Sequence, residues 1–207
     1  MINVILIGAG GHSKVIQDIV KSHTELTLHA VLDQNFKDRF IDNDVIYGHT
    51  DLIGEFVRQD FYFCIAIGNN KVRETLVKKL PIPNNRYISL IHPTATISSI
   101  ATIGIGTVVM PQSVINADTV IGDHVIINSR AVVEHDNIIN DFVHISPNAT
   151  LAGTVTVEKG THIGSAATVI PGKMVGKWST VGAGSVVINN IGDNETVVGV
   201  PARSINR

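Results

Sequence analysis

The tripeptide Glu134-His135-Asp136 sets an imidazole between two carboxylates. A neighbouring carboxylate stabilises an imidazolium and can orient the ring, which is what a general base needs when it takes a proton from a nucleophile. The alternative for such a segment is a solvated polar corner. His12 closes the run Gly8-Ala9-Gly10-Gly11-His12, while His144 and His162 stand eighteen residues apart, each just before an isoleucine. Glycines between a strand and a helix let the backbone approach a phosphate, and the free helix N–H groups attract its charge.

A six-residue repeat positions the later histidines. From Ile91, steps of six land on Ile97, Ile103, Val109 and Ile115, and continue through Ile139, Ile145 and Leu151 to Val187, always on a branched aliphatic. Two residues earlier the side chain is usually small, as at Ala95, Thr107, Ser113 and Ala131. Glycine and proline gather between successive aliphatics, as in Gly104, Gly122, Pro111 and Pro147. A period of six fits neither a helix nor a hairpin; it fits a coil whose sides are short strands. Three hexads make an eighteen-residue turn if the section is triangular, with coils stacked about 4.8 Å apart.

This register gives addresses. His135 falls on an accessible corner, His144 points outward, and His162 lies in the same column one coil later. His135 and His144 are one and a half sides apart, so the register predicts that they meet only across an interface between subunits. His92 and His124 read as turn residues without company. The outward positions Val108, Val114, Val120, Ile126, Val132 and Ile138 form an apolar surface that another subunit or the amino-terminal part should cover. No long loop interrupts the repeat.

Residues 1–90 have a different pattern, so the chain divides into an α/β unit over 1–90 and the coil with its tail over 91–207. Val4–Ile7 reads as a buried strand, and Ser13–Lys21 as a helix with Val15, Ile16, Ile19 and Val20 on one side. Leu28–Leu32 and Phe61–Ile67 read as further strands, Leu52–Val57 as a short helix, and Tyr87–Ile91 as a strand feeding the coil. A helix follows Gly68-Asn69-Asn70 and runs through Arg73, Leu76 and Leu80. The alternation predicts a small parallel, Rossmann-like sheet. The dinucleotide fingerprint is incomplete, since Ser13 stands where a third glycine belongs, and the unit is too short for two mononucleotide halves. A single nucleotide is therefore the better fit than NAD. Asp33, ending the second strand, is placed for a ribose hydroxyl, and His12 and the Gly68-Asn69-Asn70 loop face the same sheet edge.

The hydrophobic fraction of 44% provides for a core, and a net charge of −2 gives no reason to expect nucleic acid. The one cysteine, Cys64, sits in an apolar run and cannot form an internal disulfide, which points to a reducing compartment. The apolar run up to Ile7 is too short for a signal or spanning helix and lacks a basic lead, so a cytoplasmic protein with no transmembrane segment is expected.

The hexapeptide repeat resembles that of the left-handed β-helix acyltransferases. Gly8-Ala9-Gly10-Gly11-His12, Ile67-Gly68-Asn69-Asn70, Val133-Glu134-His135-Asp136 and Val198-Gly199-Val200-Pro201-Ala202 together resemble one branch. That branch is the sugar-nucleotide N-acetyltransferases acting on UDP-4-amino-trideoxy sugars of the bacillosamine pathway, with the sialic acid O-acetyltransferases as relatives of similar layout. The resemblance implies a left-handed coil, a homotrimer, and acetyl-CoA as co-substrate in the groove between prisms, with no metal. It implies His135 as catalytic base with Asp136, shorter than the family's frequent glutamate, as its orienting acid. It also implies cofactor contacts at His144, Gly153, Ser165, Ala166 and Ala183. The substrate side would comprise Gly10, Gly11, His12, Asp33, Gly68, Asn69 and Asn70, with His12 near the phosphates.

A neutral 4-amine would attack the thioester directly while His135 takes its proton. His144 or a backbone N–H near Gly153 would serve the oxyanion. Nothing calls for an acyl-enzyme, since Cys64 lies outside the coil. The residues themselves do not separate N-acetylation from O-acetylation of a sialic acid, because both need a base and an oxyanion donor. A non-catalytic scaffold remains the alternative from another class, and would bind no acetyl-CoA.

Overall fold

The structure is a computed structural model that describes residues 1–205. The amino-terminal sheet has the order β3-β4-β2-β1-β5, from β1 (Ile2–Ile7), β2 (Leu26–Leu32), β3 (Phe40–Asp42), β4 (Val45–Gly48) and β5 (Phe61–Ile65). Strands β4, β2, β1 and β5 are parallel; β3 pairs antiparallel with β4. Val4, Ile5, Leu6 and Ile7 are all buried, because helices cover both faces of a parallel sheet. The helices are α1 (Gly11–Lys21), α2 (Ile53–Val57) and α3 (Asn70–Lys79).

Several expected boundaries move. Helix α1 begins at Gly11 rather than Ser13, with Gly10 as an extended N-cap that offers no side-chain acceptor. The third parallel strand stops at Ile65, freeing Ala66 to Gly68 for the loop. Tyr87 makes a lone bridge to Phe63, and the strand entering the coil is only Leu90–Ile91. The β3–β4 hairpin was not foreseen; Asn43 and Asp44 take its turn with φ of 47° and 64°, the left-handed pair of a tight hairpin.

From Leu90 the chain winds into a three-sided parallel β-helix of two-residue strands. As far as Val187 each strand pairs with the one eighteen residues later, as in Val114 with Val132 and Ile126 with His144, and the last coil shortens to sixteen, Thr180 pairing with Thr196. The first face stacks Leu90–Ile91, Val108–Val109, Ile126–Ile127, His144–Ile145, His162–Ile163 and Thr180–Val181, then Thr196–Val198 and the antiparallel Arg203–Ser204. The second runs from Thr96–Ile97 through Val132–Val133 to Val186–Val187, and the third from Thr102–Ile103 through Ile138–Ile139 to Met174–Val175. The stepped aliphatics fill the interior: Ile115, Ile127, Val133, Ile145, Leu151, Ile163 and Val181 have no exposed surface. Small residues two positions earlier leave room for them, and the buried hydroxyls are satisfied by carbonyls, Thr107 donating to Gly122 on the next coil and Ser113 to Met110 in its own corner.

The first face carries the α/β unit. Val108 and Met110 pack with Ile16, Ile19 and Val20 of α1, so this part of the outward apolar row is covered within the chain. On the third face Val120 and Ile138 each remain 49% exposed. His124 is a correction to the expected solitary turn residue: it is buried, stacked on Phe142 at 5.3 Å and edge-on to Tyr87 at 4.7 Å. Phe142 lies one coil beyond it, so the repeat itself supplies that neighbour.

Candidate active site

At the carboxyl edge of the sheet a cavity of about 430 Å³ is bounded by Gly10, Gly11, His12, Asp33, Asn35 and Gly68, among others. Gly8, at φ +116°, has no space for a side chain, since a Cβ would lie 2.8 Å from the Ala66 carbonyl oxygen. Asp33 fastens the cavity rim: its carboxylate accepts the Ala9 N–H at 2.9 Å and, through its other oxygen, the Asn35 N–H and side-chain amide at 2.9 and 2.8 Å. The first turn of α1 has no side-chain cap, which leaves its N–H groups directed at this space.

Asn69 and Asn70 do other work than their loop position suggested. Asn69 caps α3 by accepting the Val72 N–H at 3.0 Å. Asn70 is buried, and its amide donates to the carbonyls of Gly160 and Thr161, tying α3 to the coil. Gly68 borders both the first cavity and a second, of about 500 Å³, between the start of α3 and the first face.

His144 and His162 line that second cavity as a stack with ring centroids 5.0 Å apart, and His12 stands 6.3 Å from His144. All three are held neutral. Burial, with the nearby Arg73 charge, pushes His12 down to about 4. Burial, then His162, Arg73 and His12, push His144 down to about 3 against a hydrogen bond with the Gly68 backbone. His162 is lowered by burial and Arg73.

The proton on His144 can be assigned. Asn128 Oδ1 accepts the Ser129 N–H at 2.8 Å, so its Nδ2 is what faces His144 Nε2 at 3.0 Å. Nε2 is therefore an acceptor, and the ring proton sits on Nδ1. Asn128, unremarked in the sequence, could have been found by placing it in the same corner as Arg130 and one coil before Ser146.

His135 is elsewhere on the perimeter, at the corner between the second and third faces, and one prism does not bring it together with His144. Its Nδ1 meets Asp136 Oδ2 at 2.6 Å while 59% of the side chain is exposed. The hydrogen bond with Asp136 raises its pKa above the ordinary 6.5, slight desolvation opposing. Glu134 turns away to accept from Asn116, so of the two flanking carboxylates only Asp136 orients the ring. Gly153 lies one coil beyond His135, and a Cβ there would fall 2.6 Å from the imidazole Cε1. The glycine is thus the seat of the ring. Ser165 and Ala183 are exposed and stack in one corner column, with Gly184 N–H donating to the Ser165 carbonyl and Ala166 beside it at φ +56°.

Among the described residues no cluster of His, Cys, Asp or Glu is arranged to hold a metal, and no helix is long and apolar enough to cross a membrane. Cys64 is buried, its thiol pushed up to about 12 by desolvation, which removes it from nucleophilic chemistry.

Comparison with known proteins places these features in company. Residues 3–80 match the family described as PglD N-terminal domain. A UDP-N-acetylbacillosamine N-acetyltransferase of Bacillus subtilis (strain 168) is 47% identical over 112 residues; the match spans 53% of this chain and only about half, 52%, of that protein. A perosamine N-acetyltransferase variant from Caulobacter crescentus, in complex with CoA and GDP-perosamine, superposes with a TM-score of 0.90 at 33% identity, covering 99% of this chain and 97% of that one. The acetyltransferase domain of PglB from Neisseria gonorrhoeae FA1090, in complex with acetyl coenzyme A, gives 0.88 at 34% identity, over 98% of both chains.

Proposed function

The chain belongs to the left-handed β-helix sugar N-acetyltransferases with a PglD-type amino-terminal domain, and from that premise we propose that it transfers acetyl from acetyl-CoA to the amine of a nucleotide-linked amino sugar. The finer reading is a UDP-linked 4-amino-deoxy sugar. Supporting it, the bacillosamine enzyme is 47% identical where it aligns, against 33% for the GDP-perosamine-binding structure.

The observation that carries the proposal is the His135–Asp136 pair. Asp136 fixes Nδ1, which leaves Nε2 on an exposed corner as the basic nitrogen. In the proposed reaction the amine nitrogen attacks the thioester carbonyl and forms the C–N bond. His135 Nε2 takes the amine proton, and Asp136 steadies the imidazolium; such assistance is worth about 10²–10⁴ in rate. The tetrahedral oxyanion then collapses, the C–S bond breaks, and the CoA sulfur takes the proton back from the His135 imidazolium and leaves as the thiol. A backbone N–H near Gly153, beside the His135 ring, would serve the oxyanion. The cavity at Gly10, Gly11 and Asp33 would hold the nucleotide.

The same reading makes the protein a homotrimer. Val120 and Ile138, half-exposed on the third face beside the His135 corner, supply an apolar surface suited to a second prism. A neighbouring subunit would then bring its nucleotide cavity to this His135, and acetyl-CoA would lie between prisms along Ser165, Ala166 and Ala183.

The test is CoA-thiol release with acetyl-CoA against UDP- and GDP-linked 4-amino sugars and sialic acids. The expected result is turnover with a UDP-amino sugar, lost by roughly 10² or more in His135→Ala with acetyl-CoA affinity retained. Release on a sialic acid alone, or a His135→Ala enzyme of near-normal turnover, would overturn the reading.

A further inference from the structure

A buried guanidinium sits between the two cavities. Arg73, on α3, is 1% exposed. Its Nε donates to the His124 carbonyl at 2.8 Å, and Nη1 to the carbonyls of Ile67 at 3.0 Å and Gly68 at 3.3 Å. Nη2 donates to Asn70 Oδ1 and the Phe142 carbonyl, both at 2.9 Å, with the Val143 carbonyl at 3.4 Å. None of the ion pairs among the described residues includes it. Taking a cation from water without an anion beside it is expensive, and an apolar residue of similar volume would often serve stability as well. What the arginine obtains instead is geometry: its planar fork holds a fixed set of carbonyls.

Two of those carbonyls lead into one imidazole: Phe142 and Val143 directly precede His144, and Gly68 faces it across the second cavity. Gly68 also borders both cavities. Asn70, which accepts from the guanidinium, is anchored to Gly160 and Thr161, the turn just before His162. One side chain of the α/β unit therefore grips the backbone leading to the stacked imidazoles and the loop that faces them.

We propose that Arg73 is a positioning residue that fixes the orientation of His144 by holding the Phe142–Val143 turn and the facing Gly68 loop in register, so that the nucleotide cavity and the imidazole stack behave as one unit. The effect on turnover rests on the acetyl-transfer reading; the effect on the imidazole does not. The charge acts in the same sense, since Arg73 faces His12, His124, His144 and His162, with Cys64 also near, and disfavours a proton on each ring beyond what burial does.

The test is long-range ¹H–¹⁵N correlation of the histidine rings in the full-length protein, with kinetics in parallel. In the wild type, His144 is expected as a neutral ring protonated on Nδ1 over roughly pH 5 to 8, where an ordinary histidine titrates. In Arg73→Lys, which keeps the charge but not the fork, the His144 ring should lose its single orientation, seen as doubled or broadened ring resonances, and kcat should fall about tenfold or more with acetyl-CoA affinity unchanged. Asn70→Ala, a milder loosening of the same clamp, should move both readouts in the same direction and serves if Arg73→Lys does not fold. A wild-type His144 that titrates near 6.5 or carries its proton on Nε2 overturns the proposal. So do variants that lower only Tm, leaving the His144 resonances and kcat as they were. If no amino sugar is acetylated and the ring behaves as described, the functional reading fails and the positioning role stands.

Discussion

Replacing Gly153 with alanine would put a methyl carbon 2.6 Å from Cε1 and 2.7 Å from Nε2 of His135. Ordinary contact begins at 3.4 Å, so the imidazole must retreat by about 0.8 Å. The ring is 59% exposed and can swing outward at little cost to the fold, but its 2.6 Å contact with Asp136 cannot survive such a swing intact. Misplacing a catalytic group by about 1 Å costs around 10² in rate, so kcat in the thiol-release assay should drop by about that factor. Because the Asp136 contact is the chief cause of the raised His135 pKa, the midpoint of the kcat–pH profile should fall back toward 6.5. Tm should shift by no more than about 2 °C. Gly54→Ala is the control, since a Cβ there meets nothing within 4 Å. A Gly153→Ala enzyme with wild-type kcat and an unchanged pH profile would refute both the seat assigned to Gly153 and the role assigned to His135.

Asp136→Asn keeps the shape but removes the charge; kcat should fall about 10-fold or more, and the midpoint above which the base is active should move down, because the carboxylate holds it up. Unaltered pH dependence by stopped assays across pH would count against the pairing. Asp33→Ala frees the Ala9 and Asn35 N–H groups, so the nucleotide sugar KM should rise about tenfold with acetyl-CoA affinity intact, measured by calorimetry with each ligand. The pair Val120→Lys and Ile138→Lys sets cations on the half-exposed third face; light scattering should report dissociation of a trimer with loss of activity, and a wild type that is already monomeric would remove the shared-site proposal.

The coil was legible because its restraint is arithmetical. An inward aliphatic every sixth residue and three sides per turn fix which residue lies over which, and the strand pairs follow that spacing throughout, from Thr96 with Val114 to Thr168 with Val186. The same spacing, applied to corners as well as strands, would have found His124 over Gly106, Trp178 over Gly160 and His135 over Gly153, three large rings each resting on a glycine one coil away. Arg73 was harder to see. The segment Lys71-Val72-Arg73-Glu74 reads as a solvated helix turn, yet Arg73 shares its face with Asn70, Leu76 and Val77, at the spacing of a buried stripe. The β3–β4 hairpin escaped because its strands are short and β3 is exposed throughout, so no alternation announces it. The His144 tautomer depends on Asn128, sixteen residues earlier and itself oriented by the Ser129 N–H, and no local pattern encodes it.

The coil is also a ruler with fixed graduations. Inserting eighteen residues anywhere between His135 and Val187 would lift everything beyond it by one rung, about 4.8 Å, and leave every side chain facing as before. Six residues would instead turn the upper part by one face, and a single residue would exchange interior for exterior. The distance from the His135 corner to the Ser165–Ala183 edge can therefore change only in whole rungs. A ligand lying along that edge is measured against a scale set by backbone hydrogen bonds, which side-chain substitution alone does not rescale.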